Sequence, residues 1–99
     1  MAYFCYMVRC SNGAYYTGWT TDPHRRMKEH NAGRGARYTR MFGPVELVYL
    51  EEVQDHSAAL KREAEIKQLK HNRKAALAGS QNFSEELVSL VIQEGAADD

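Results

Sequence analysis

Five side chains in this sequence are of types that suit the handling of a phosphodiester: Tyr6, Tyr16, Arg26, His30 and Glu63. Arg26 and His30 stand at i and i+4, so a helix would present them on one face. A guanidinium grips two phosphate oxygens through paired donors, and an imidazole beside it can orient or relay a proton. Arg25 and Lys28 flank the pair, and the same four residues also make an ordinary solvated basic face. Glu63 shares a helical stripe with Ala59, Ile66 and Lys67, which turns it toward the partly buried side, whereas Glu65 falls elsewhere. A carboxylate at a buried edge needs a base or a metal as partner. One carboxylate with waters and substrate oxygens is a normal way to hold Mg²⁺. An ion pair to Arg62 or Lys67 is the alternative.

What the tyrosines can do depends on how the first two strands pair. Tyr3–Cys10 and Ala14–Trp19 read as strands around the turn residues Ser11-Asn12-Gly13. A two-residue Asn12-Gly13 loop would put Tyr6 and Tyr16 on opposite faces. A three-residue loop with Gly13 left-handed pairs Cys10 with Ala14, Tyr6 with Gly18 and Val8 with Tyr16. The second register is expected. It makes the two phenols diagonal neighbours, with backbones roughly 7–8 Å apart, and leaves space opposite Tyr6 at Gly18.

The remaining elements follow from periodicity and punctuation. Thr20-Thr21-Asp22-Pro23 opens a helix from Pro23 to Asn31, which the Asn31-Ala32-Gly33 breaker ends. Residues 32–44 read as a basic loop carrying Arg34, Arg37 and Arg40. Val45–Val53 alternates as a third strand. Asp55 or Ser57 then caps a helix to about Lys70, and a short helix covers Arg73–Ala78. Ser84–Gln93 reads as an amphipathic helix that either packs on the core or docks on a partner, followed by an acidic tail. The order β-β-α-β-α-α-α predicts an α+β domain with a small, mostly antiparallel three-stranded sheet. Residues 1–80 form the core of this domain and 81–99 its terminal helix and tail.

A chain of 99 residues forms one domain and buries only about 60–65% of the surface its unfolded form exposes. A site is therefore expected on a groove across the sheet. There is no apolar run long enough for a membrane span, no signal-peptide pattern and no zinc spacing among His24, His30, His56, His71, Cys5 and Cys10. No phosphate-binding glycine loop precedes a helix, so no nucleotide cofactor is expected. Two cysteines at odd separation on one strand cannot bridge, which suits a cytosolic protein with reduced thiols. The net charge of zero conceals alternation: residues 1–40 carry seven Lys/Arg against two acids, and residues 57–74 carry six against two. Such local fields govern phosphate binding more than the total does.

Phe4-Cys5-Tyr6-Met7-Val8, followed ten residues on by Tyr16-Thr17-Gly18, resembles the two halves of the GIY-YIG motif. Arg26, His30 and the segment Ala59–Lys67 around Glu63 fall where that nuclease superfamily carries its Arg, its His or Tyr, and its metal-binding Glu. The likeness covers about residues 3–78 and is closest to the small stand-alone UPF0213 or YhbQ-like group. Cys5 and Phe4 replace the motif's Ile and Gly, Trp19 stands where some relatives have Lys, and no residue clearly matches the late Asn. The resemblance implies an endonuclease that hydrolyses nucleic-acid phosphodiesters, DNA more than RNA, with Mg²⁺ or Mn²⁺ on Glu63 and weak sequence preference. It implies Tyr6 or Tyr16 as general base, Arg26 as transition-state stabiliser and His30 as proton relay. Arg25, Lys28, Arg34, Arg37 and Arg40 would contact the nucleic-acid backbone. A nucleic-acid-binding module of the same fold that cuts poorly or not at all is the other reading, and a monomer is favoured in either case.

Overall fold

The computed structural model describes residues 2–80, leaving the expected Ser84–Gln93 helix outside the described part. Strands β1 (Tyr3–Arg9) and β2 (Tyr15–Thr20) are followed by helices α1 (Pro23–Asn31) and α2 (Arg37–Met41). Strand β3 (Glu46–Val53) leads into α3 (His56–Lys67) and α4 (His71–Gly79). The sheet is antiparallel throughout in the order β2-β1-β3, so β1 is central and β2 forms an edge. This is the expected α+β architecture, with one helix more than expected between α1 and β3.

The hairpin adopts the expected three-residue loop. Gly13 sits at φ +85, its amide donates to the Cys10 carbonyl at 2.9 Å, and the Cys10 amide donates to the Ala14 carbonyl at 2.8 Å. The register then pairs Tyr6 with Gly18 and Val8 with Tyr16. Asp22 caps α1 by accepting from the Arg25 amide at 3.1 Å, with Pro23 in the first turn. Asp55 caps α3 in the same way through the Ala58 amide at 2.8 Å.

Helix α2 corrects the reading of residues 32–44 as a loop. Five helical residues are too few to show a period, and the glycines around them dominate the local pattern. What makes the turn is visible only in space: the Arg40 amide donates to the Ala36 carbonyl at 3.0 Å, and the Thr39 side chain is fully buried.

Alternation along β1 divides the interior in two. Cys5 and Met7 join Val48, Tyr49 and Ile66 on the face covered by α3 and α4. Tyr6 and Val8 join Met27 and Val45 on the face covered by α1. Both cysteines are free and buried, and burial pushes the Cys5 thiol up to about 11. No helix among the described residues is long and apolar enough to cross a membrane. Ile66 anchors α3 with no exposed surface. Ile66→Ala is expected to lower unfolding stability by about 2–5 kcal/mol in a denaturant titration.

Candidate functional site

Tyr6 is 1% exposed, and its ring lies flat across the Cα of Gly18 on the edge strand. A Cβ at position 18 would meet the Tyr6 Oη at 2.6 Å and Cζ at 2.8 Å, closer than atoms pack, so glycine there is the space the phenol occupies. From that position Tyr6 Oη meets two residues of α1. Arg26 Nε donates to it at 3.2 Å, and His30 Nε2 lies 2.8 Å away. The four-residue spacing expected to align Arg26 with His30 does so, and the phenol joins them.

The direction of every proton in this cluster follows from valence. His30 Nδ1 lies 2.8 Å from Thr39 Oγ1, and that hydroxyl donates to the Ala36 carbonyl at 2.9 Å. A carbonyl can only accept, so the one hydroxyl proton of Thr39 is committed and its oxygen must accept from His30. The imidazole therefore carries its proton on Nδ1, and Nε2 is a lone pair. Arg26 can only donate, so Tyr6 accepts from it and gives its own proton to His30 Nε2. The result is a one-way chain from Arg26 through Tyr6, His30 and Thr39 to the Ala36 carbonyl.

Electrostatics agree with these assignments. Burial, then the nearby Arg26 charge, lowers His30 from 6.5 to about 4, with Glu29 opposing. Burial pushes Tyr6 up to about 12, against the pull of the Arg26 hydrogen bond and charge. The resting site thus holds a neutral imidazole and a neutral phenol beside a permanent cation. Arg26 also meets Glu29 Oε1 at 3.4 Å and stays 27% exposed, so one edge of the cluster faces solvent. Tyr16 is half-buried and packs its ring edge-on against His30, with centroids 5.6 Å apart; the Tyr6 ring does likewise at 5.7 Å.

Glu63 lies on the sheet-facing stripe of α3 between buried Ala59 and Ile66, with its side chain 19% exposed. Helix α3 covers the face opposite Tyr6, yet the carboxylate's charge is felt at the phenol and at Cys5. Helix α3 packs against β1 and β2, and Glu63 makes no hydrogen bond or ion pair with Tyr6, Tyr16, Arg26 or His30. Lys67 Nζ donates to Glu63 Oε1 at 3.2 Å, so the ion pair open from the sequence is formed. Lys67 is 51% exposed, and a pair of this i,i+4 type contributes only about 0.3–0.5 kcal/mol. Such a partner is easily displaced. No group of three His, Cys, Asp or Glu that could cage a metal occurs among the described residues. The donor set suits a hard cation held by one carboxylate and water, and Mg²⁺ fits that description.

Arg25, Arg34, Arg37 and Arg40 are exposed and make no ion pair among the described residues, while Lys28 is half-buried. Two contributors were not foreseen. Thr39, in the supposed loop, fixes the imidazole tautomer. Gly35 lets residues 32–36 lie directly on His30, since a Cβ there would collide with Nδ1. Neither could be found from spacing, because each depends on the loop folding back over α1.

The catalytic-domain profile of the GIY-YIG family matches residues 2–76, and the chain belongs to that family. Within it, the chain is similar to proteins of the UPF0213 group. The chain is 51% identical to a UPF0213 protein of Haloquadratum walsbyi, over 77% of this chain and 85% of the relative. It is 46% identical to one from Staphylococcus aureus, over 77% and 93%. The solution structure of a UPF0213 protein from Bacillus halodurans superposes with a TM-score of 0.54 at 37% identity, covering 87% of this chain and 92% of that one. A protein from E. faecalis gives 0.56 at 33%, covering 86% and 94%.

Between pH 6.5 and 4 the unfolded chain binds a proton on His30 that the folded chain refuses. Stability is therefore expected to fall as pH drops through that window, by about 1.4 kcal/mol per pH unit and about 3 kcal/mol in all. His30→Gln should remove this slope from a pH series of denaturant titrations. Thr39→Val leaves the His30 Nδ1 proton buried without an acceptor and should cost about 1–3 kcal/mol, which Thr39→Ser restores.

Proposed function

We propose that the chain is a Mg²⁺-dependent endonuclease that hydrolyses nucleic-acid phosphodiesters, DNA in the first instance, with weak sequence preference. The observation that carries this reading is the one-way hydrogen-bond chain that joins a partly exposed guanidinium to a phenol and a neutral imidazole, with a second phenol packed on that imidazole. A nuclease-type fold is what the family contributes; the chemistry is argued from the residues.

Arg26 is the anion-binding group. Its Nε is fixed by Tyr6 and its Nη1 by Glu29, so the guanidinium keeps one orientation when a phosphate arrives. It then offsets the extra negative charge of the pentavalent transition state without reorganising. Tyr6 is too enclosed to touch water and acts as a positioning residue. Tyr16, the more open phenol, first gives its own proton to solvent. As phenolate it then takes the proton of the attacking water, whose oxygen bonds to phosphorus as the P–O bond to the leaving sugar oxygen breaks. His30 braces both rings, and its unprotonated Nε2 holds the Tyr6 hydroxyl in one orientation. Glu63 would hold Mg²⁺, which when bound supplies charge neutralisation at the phosphate oxygens. Exposed Arg25, Arg34, Arg37 and Arg40, with Lys28, bind the sugar–phosphate backbone without reading bases.

The second reading, a module that binds nucleic acid without cutting it, is favoured only by the ion pair that occupies Glu63. Labelled single-stranded, duplex and flap substrates with and without Mg²⁺ distinguish the two. Glu63→Gln and Tyr16→Phe are expected to lower cleavage at least 100-fold while leaving binding within about twofold, in line with the loss of a group that acts on the transition state. Binding by the wild-type chain with no cleavage of any substrate establishes the module instead.

A further inference from the structure

Neither interior cluster accounts for the chain's only tryptophan. Trp19, at the end of β2, is half-buried and belongs to neither core; the same is true of Tyr3 at the start of β1. The two rings lie 6.2 Å apart by centroid, and both meet His56 at the first turn of α3. His56 is exposed, 4.5 Å from Trp19 and 6.1 Å from Tyr3. One turn further along α3, on the same side as His56, Leu60 is 46% exposed. Three rings and an aliphatic side chain thus form an apolar surface that belongs to neither core among the described residues.

Its position relative to Glu63 gives that surface a meaning. His56 and Glu63 stand at i and i+7 on one helical stripe, about 10 Å apart along the axis. That is a span of one to two nucleotides of an extended strand. Trp19 directly follows Gly18, over which the Tyr6 phenol lies. The patch therefore lies on the α3 face of the sheet, the face from which Glu63 approaches.

We propose that Tyr3, Trp19, His56 and Leu60 form a stacking platform for an unpaired nucleobase next to the phosphate held at the Arg26–Glu63 site. This deepens the nuclease reading and rests on it for the placement of the strand. Aromatic rings accept the face of any base, whereas bases in a duplex have both faces covered by their neighbours, so the platform selects single-stranded or frayed substrate without selecting sequence. Substrate structure is then set by rings, and affinity for the backbone by the arginines.

Because Trp19 is the only tryptophan, its fluorescence reports on the platform directly. The full chain is titrated in EDTA with a short oligothymidylate, an abasic strand of equal length and a blunt duplex. The oligothymidylate is expected to quench Trp19 and to bind more tightly than the abasic strand. Trp19→Ala should weaken oligothymidylate binding roughly 5- to 150-fold, the range for one base–aromatic stack, and leave duplex binding unchanged. His56→Ala, at an exposed position, should weaken it in the same selective way. Equal affinity for abasic and normal strands, or an unaltered Trp19 signal on binding, overturns the platform. So does a concentration-dependent Trp19 signal that tracks self-association, which would mean that a second copy covers the patch. None of these readouts needs cleavage. A chain that never cuts but stacks bases loses the nuclease reading alone, and one that cuts while ignoring bases loses only the platform.

Discussion

The site depends on a phenol hydroxyl with no freedom left. Tyr6 Oη accepts from Arg26 and donates to His30, and each of those partners is itself constrained. Burial disfavours any charge on the phenol or the imidazole, so the cluster tolerates only one protonation state around the single cation. A neutral hydrogen-bonded chain ending on a backbone carbonyl is the cheapest arrangement that satisfies every buried polar atom in it. The consequence is an arginine aimed before any substrate arrives.

Two glycines make that arrangement sterically possible, for the same reason at different places. At Gly18 the missing side chain lets the Tyr6 ring cross the edge strand; at Gly35 it lets the returning loop press Thr39 onto the imidazole. Neither has a positive φ, so their role is close approach and not backbone freedom. Arg26 and His30 come from one side of the sheet and Glu63 from the other.

Much of this was legible in the residue order. The Ser11-Asn12-Gly13 loop determines a register, and that register puts Tyr6 opposite Gly18. Four-residue spacing aligns Arg26 with His30, and the Ala59–Ile66 stripe turns Glu63 inward. These are local or short-range consequences of backbone period, which a sequence carries openly. Thr39 was invisible because its partner is nine residues away through an irregular turn whose glycines suggested only a loop. The aromatic surface was hidden for a similar reason: Tyr3, Trp19 and His56 belong to three elements that converge only after the sheet forms and α3 folds across it.

The direction of the proton chain is written in the tautomer of His30. Long-range ¹⁵N–¹H correlation spectra of the imidazole near neutral pH measure that tautomer in the intact protein. The proton chain requires a neutral ring with the proton on Nδ1 and an unprotonated Nε2 that shifts when Tyr6 is replaced by phenylalanine. A ring protonated on Nε2, or on both nitrogens, contradicts it.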